Sequence, residues 1–108
     1  FCLESLNSML CFPGDIVKVL VIVDDVEDEL FARVSKIHGD LIEINYYEET
    51  TFSYSNARIY ALEFTPYIIE TESICEHYPH GDTVFMHLSR NRYVLIEDIT
   101  DEKFLANL

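Results

Sequence analysis

The stretch Glu29–Tyr47, ELFARVSKIHGDLIEINYY, reads as two strands joined by a tight turn. In the first strand Phe31, Arg33, Ser35 and Ile37 point one way, and Leu30, Ala32, Val34 and Lys36 point the other. Gly39-Asp40 makes the turn, and Leu41, Ile42, Ile44 and Tyr46 carry the returning strand. A period of two over runs this short is the pattern of a strand, and a Gly-Asp connection is the pattern of a hairpin turn.

Upstream, Ile16–Val23 is rich in Val and Ile and reads as a buried strand entered through Pro13-Gly14-Asp15. Asp24–Glu29, DDVEDE, reads as an acidic loop facing solvent. Residues 1–12 carry Leu3, Leu6, Met9 and Leu10 at helical spacing, which predicts a short helix or a segment packed on the barrel. Downstream, Glu48–Thr51 reads as a turn, after which Phe52 and Tyr54 share a side if the chain is extended. Residues 56–62 alternate into a fourth strand, Pro66 breaks the pattern, and Ile68, Ile69 and Thr71 predict a short fifth strand. ESICEHY at 72–78 predicts a single helical turn with Ile74 inward. After the breaker Pro79-His80-Gly81-Asp82, Thr83–Leu88 and Tyr93–Ile99 read as a second hairpin around residues 89–92. Thr100-Asp101 has the form of a helix N-cap, predicting a short C-terminal helix through Phe104 and Leu105. Gly-Asp-x-Val occurs at 14–17 and again at 81–84; the two halves share little else, so it is a common way to start a strand rather than a repeat.

Six or seven short strands with brief connections close into a small barrel or a two-sheet sandwich, so the fold class is all-β. The expected organisation is a packing segment over 1–12, a barrel over 13–78, and a C-terminal β-hairpin plus short helix over 79–108. A length of 108 residues suits one domain, and a 49% hydrophobic composition suffices for a core.

Charge bounds the partners. Twenty acidic residues against 7 basic give a formal net charge of -13. Binding to a phosphate backbone rests on Lys and Arg, so direct nucleic-acid binding is not expected. A basic protein partner, such as an arginine-rich tail or a histone-like segment, would be steered towards this chain. The plainer role of the same acids is solubility. No apolar run approaches ~20 residues, so no membrane span is expected. Cys2, Cys11 and Cys75 show no CxxC spacing and no dense framework, which predicts an intracellular, reducing compartment, the cytoplasm or nucleus. The chain begins at Phe1, so it is either processed or part of something longer, and residues 1–12 lack the basic start and long apolar core of a signal peptide.

Catalytic and metal chemistry find little support. Cys75, His77, His80 and His87 form the only metal-like group, and their spacing matches no familiar zinc signature. Cys75 and His77 lack a third, orienting member. Gly14, Gly39 and Gly81 are too scattered to cradle a phosphate. The chain reads as a non-enzyme without cofactor or metal.

The order Pro-Gly-Asp-x-Val (13–17), an acidic loop, Leu-Phe-Ala-Arg-Val-x-x-Ile (30–37), a turn, Ile-x-Ile-x-Tyr-Tyr (42–47), then Ala-x-Ile-Tyr (57–60) resembles Tudor-like domains of the SH3-like barrel group. The likeness covers Pro13–Leu62 and implies a small SH3-like barrel. Many Tudor domains hold a methylated lysine or arginine in an aromatic cage, where ring faces attract the cation. By position, Phe31 matches the second-strand aromatic and Tyr46 the third-strand aromatic. The first-strand aromatic is missing, since Ile22 and Val23 occupy that region, and Glu49 and Thr51 stand where an aromatic and an Asn are common. Tyr47 and Tyr54 are the available substitutes. The cage so implied is Phe31, Tyr46 and Tyr54, with Glu48 or Glu49 favouring the cation; the competing role for Phe31 and Tyr46 is as core aromatics.

The expected function is a non-enzymatic protein-interaction module. It would engage a basic, methylated or proline-containing segment through Tyr46, Tyr47, Tyr54 and Tyr60, with Asp24, Asp25, Glu27 and Asp28 as a partner-facing acidic loop. The alternative is a structural subunit of a large assembly, such as a virion or another multiprotein machine, docking through Phe1-Cys2-Leu3 and Phe104-Leu105.

Overall fold

The computed structural model describes residues 11–54, 57–79 and 83–100. Among these residues eight strands follow in chain order: β1 (Ile16–Val23), β2 (Val26–His38), β3 (Leu41–Tyr54), β4 (Ala57–Leu62), β5 (Tyr67–Glu70), β6 (Ile74–Tyr78), β7 (Phe85–Ser89) and β8 (Arg92–Leu95). All the ladders are antiparallel, and the strand order is β6-β1-β2-β3-β4-β8-β7, with β5 also on β3.

The long strand β3 folds this sheet into two leaves. Its first half, Leu41–Tyr46, pairs with β2, and Leu41–Ile44 also pair with β5. Its second half, Tyr47–Tyr54, pairs with β4, which continues to β8 and β7. In the first leaf, β6-β1-β2-β3-β5, the end strands β5 and β6 are joined only by the three-residue 3-10 turn Thr71–Ser73. Three residues reach about 10 Å. The two ends of a five-stranded leaf come that close only if it curls.

Each leaf face finds a core because side chains alternate along a strand. Val17, Val19, Ala32, Val34, Ile42 and Ile44 fill the concave side of the first leaf, with Cys11 against them. The opposite face of β1 and β2 carries Ile16 and Phe31, which meet Tyr47, Tyr60, Phe85, Tyr93 and Leu95 between the leaves. Ala57, Ile59 and Val94 bury a smaller third cluster behind the second leaf. Tyr46 packs on the first core and Tyr47 in the second. Two adjacent residues thus serve two cores at the point where β3 changes leaf.

Turn chemistry fixes the register. His38 and Leu41 pair across Gly39-Asp40, with Gly39 at φ +64 in the left-handed region that glycine enters without strain. Val23 and Val26 pair across Asp24-Asp25, and both aspartates have positive φ, 51° and 64°. That is the type I′ pattern, whose preferred residues are Asn-Gly. The double substitution Asp24→Asn/Asp25→Gly is therefore expected to stabilise the domain by about 1 kcal/mol, through relieved φ strain and reduced charge repulsion. Thermal unfolding should show a midpoint raised by about 4 °C; a lowered midpoint would refute the turn assignment.

The structure departs from the sequence expectations in four places. Only Asp24 and Asp25 form a turn; Val26–Glu29, expected in the acidic loop, are the start of β2, held extended by the ladder to β1. Glu48–Thr51, expected as a turn, lie within β3 because β4 pairs along it. Ile74–Tyr78, expected as a helical turn, form β6 on the edge of β1, with a register shift between Lys18 and Val19. The second hairpin forms as β7 and β8, but β8 ends at Leu95, and Ile96–Ile99, expected in its strand, lie in the 3-10 helix Ile96–Thr100. The expected C-terminal helix, most of the N-terminal segment, and the second Gly-Asp pair fall outside the described residues.

Candidate functional site

The sequence sends β2 and β3 apart at one point. Their ladder runs from His38–Leu41 to Ala32–Tyr46 and stops. One more step would set Phe31 against Tyr47, then Leu30 against Glu48, then Glu29 against Glu49. Like charges directly opposite on neighbouring strands are destabilising. Tyr47 instead stacks on Phe85, with ring centroids 4.3 Å apart, and β3 follows β4. Val26–Phe31 stays with β1. The gap between the diverging strands is a cleft of about 1040 Å³.

Its walls are acidic and its floor aromatic. Among the lining residues are seven carboxylates, including Glu27, Asp28 and Glu29 from β2 and Glu48 and Glu49 from β3, against two cations, Lys18 and Arg58. Both cations are already engaged. Lys18 Nζ lies 3.9 Å from Glu29, 3.7 Å from Glu76, and 5.0 Å over the Phe31 ring. Arg58 Nε donates to Asp98 Oδ2 at 3.0 Å, and its Nη2 reaches Glu97 Oε1 at 3.3 Å. The hydrogen bonds from Arg58, and then its charge, hold the Asp98 carboxyl below the usual range. The aromatic contribution comes from Phe31, Tyr46, Tyr47, Tyr60, Tyr67 and Tyr78.

These rings are fixed by packing. Phe31 meets Phe85 at 5.2 Å, Tyr78 at 6.2 Å and Tyr60 at 6.4 Å. Tyr46 meets Tyr67 at 5.4 Å. Burial pushes the Tyr47 phenol up to about 12, against the opposing charge of Arg33, so it stays neutral. Its hydroxyl has no hydrogen-bond partner among the described residues. Tyr78 donates to Glu76, and burial followed by that bond pushes its phenol up to about 12.

The structure brings most of the sequence-predicted residues together. Phe31, Tyr46, Tyr47, Glu48, Glu49, Glu27 and Asp28 all line this one cleft. Phe31 and Tyr46 do so from opposite faces of the sheet, since Tyr46 shares the face of Ala32. Asp24 and Asp25 sit at the hairpin tip outside the lining, and the side chain of Tyr54 lies outside the described residues. Sequence reasoning missed Lys18, Arg58, Tyr67 and Tyr78. Of these, Arg58 carried a signal, because it alternates with Tyr60 on a strand that the sequence already predicted.

The histidines and cysteines go elsewhere. His77 Nε2 donates to Asp15 Oδ2 at 2.8 Å, and His87 Nε2 donates to the Arg90 carbonyl at 2.6 Å. Cys11 is buried, and burial followed by the charge of Asp15 pushes its thiol up to about 11, far from the thiolate that nucleophilic chemistry uses. Among the described residues no group of three or more His, Cys, Asp or Glu is placed to hold a metal ion. No helix among them is long and apolar enough to cross a membrane. In comparisons with protein-family models, curated proteins and solved structures, the chain matches none.

Proposed function

We propose that this domain is a non-enzymatic protein-interaction module that binds a basic segment of another protein in the cleft between β2 and β3. The observation that carries this reading is the charge of the cleft: seven carboxylates around an aromatic floor, with both lining cations already engaged. Acids in excess of cations at a rim steer a cationic partner, and ring faces receive its side chains. The curled five-stranded leaf, entered through Pro13-Gly14-Asp15, supports reading it as an SH3-like, Tudor-like barrel.

The test is titration of the purified domain with an arginine-rich peptide at low and high salt. We expect binding that weakens about tenfold or more between about 0.05 M and about 0.5 M salt, as screening shortens the reach of the acids. The double reversal Glu48→Lys/Glu49→Lys, at two exposed positions, should weaken it about tenfold or more. Absence of binding at low salt would overturn the proposal. Equal affinity for methylated and unmodified peptides would remove methyl recognition and leave basic-segment recognition standing.

One observation favours the second reading, a structural subunit of a large assembly. At the tip of the β1–β2 arm, Ile22, Val23 and Val26 are 66%, 63% and 65% exposed. An apolar tip on a projecting hairpin suits seating in a neighbour. Salt-resistant self-association in light scattering would favour this reading over the first.

A further inference from the structure

The cleft has unpaired strand edges as well as charge. The Val34 N–H donates to the Asp15 carbonyl at 2.9 Å, and the Val34 carbonyl accepts from Gly14 N–H at 2.8 Å, so the backbone of Val34 turns towards the β1 side. The β1–β2 register runs unbroken from Ile16–Arg33 to Val23–Val26. In an antiparallel ladder successive residues turn their N–H and C=O alternately to the two sides. Ala32, Leu30 and Asp28 therefore face β1, whereas Phe31, Glu29 and Glu27 turn their backbone groups outward, into the fork. The Glu29 N–H agrees: it donates to Asp28 Oδ1 at 2.8 Å, a local side-chain acceptor. Among the described residues no strand pairs with this edge over Val26–Leu30, while the Phe31 carbonyl, next to the last Ala32–Tyr46 pair, faces Tyr47.

Such an edge is a template for another strand. Its charge selects which one. A second copy of the same edge would set acids against acids, which is unfavourable. A basic strand would do the reverse. Glu27, Glu29 and Phe31 share one face of β2, and by register Tyr47 and Glu49 continue that face on β3. The same face already holds one ammonium, that of Lys18 over Phe31. The other face offers Leu30, Tyr46 and Tyr67, which suit small or apolar side chains.

We propose that the fork takes its basic segment by strand addition: an extended stretch with Lys or Arg at every second position pairs with the outer edge of Glu27–Leu30 and lays its cations between Glu29 and Glu49. This rests on the basic-segment reading and adds the binding geometry, in which main-chain bonds give affinity and alternate side chains give specificity.

The test uses the unaltered domain and a short peptide alternating Lys and Val. Two derivatives carry backbone N-methyl groups, one on the Lys residues and one on the Val residues. Side-chain charge is the same in all three peptides. Strand addition presents one alternate set of N–H groups to the edge of β2 and turns the other away. One derivative should lose affinity by about tenfold or more while the other keeps that of the parent. Equal loss in both derivatives, or loss in neither, would overturn strand addition and leave basic-segment recognition intact. Failure of the unmodified peptide to bind at low salt would overturn both.

Discussion

Replacing Phe85 by alanine is expected to lower the unfolding free energy by about 3–5 kcal/mol. Phe85 is 4% exposed and is the centre of the aromatic cluster between the leaves. Its ring stacks on Tyr47 at 4.3 Å and meets the rings of Phe31 and Tyr60 edge-on, each at 5.2 Å. It stands on β7, a terminal strand whose only ladder among the described residues is with β8. The ladder holds β7 in its own leaf, but side-chain packing holds that leaf on the first. Truncation removes the ring's transfer free energy and leaves a void that the neighbouring rings of Phe31, Tyr47, Tyr60 and Tyr93, rigid and already packed, fill poorly. Domains of this size are stable by about 5–15 kcal/mol, so the loss is a large share of the total. The chain has no Trp, so urea unfolding is best followed by tyrosine fluorescence and near-ultraviolet circular dichroism. Phe85→Leu should retain more than half of the lost stability. A loss below about 1 kcal/mol for Phe85→Ala, with unchanged denaturant dependence, would show that the leaves are not held by this cluster.

The parts of the fold legible in the sequence are those where one strand face is buried and the other is not. Leu30–Lys36 alternates because Ala32 and Val34 enter a core, and Gly39 announces its turn because the left-handed conformation selects glycine. Val26–Glu29 was not legible as strand because all four residues are exposed. With no buried face there is no period to read, and the extended conformation is imposed by pairing with β1. β3 hides its length for a related reason: the buried parity changes between Ile44 and Tyr47, where the strand passes from one core to the next. The candidate site divides the same way. The acids and aromatics were legible by residue type. The fork was not legible. It arises where a ladder stops, and that depends on Tyr47 finding Phe85, nearly forty residues later in the chain.

The second large effect is expected at Asp15. The Pro-Gly-Asp phrase was legible only as the start of a strand, and the structure gives its aspartate a tying role. Asp15 is 7% exposed, and its Oδ2 accepts from His77 Nε2 at 2.8 Å and from the Phe12 N–H at 2.9 Å. Its carbonyl accepts from Val34 N–H at 2.9 Å. One residue thus joins the entry segment, β2 and β6, the strand that follows the crossing at Thr71–Ser73. Asp15→Ala keeps the backbone bond but leaves the Phe12 amide and the His77 ring without their acceptor. Hydrogen bonds to a charged group contribute about 1.5–3 kcal/mol, and orphaning a half-buried donor adds to that, so a loss of about 2–4 kcal/mol is expected. A double-mutant cycle with His77→Ala assigns the cause. If the pair couples β6 to the strand entry, Asp15→Ala costs about 1 kcal/mol less once His77 is gone. Additive costs would mean that Asp15 acts through Phe12 alone, and β6 would then be held by its ladder to β1 and by Ile74 in the core.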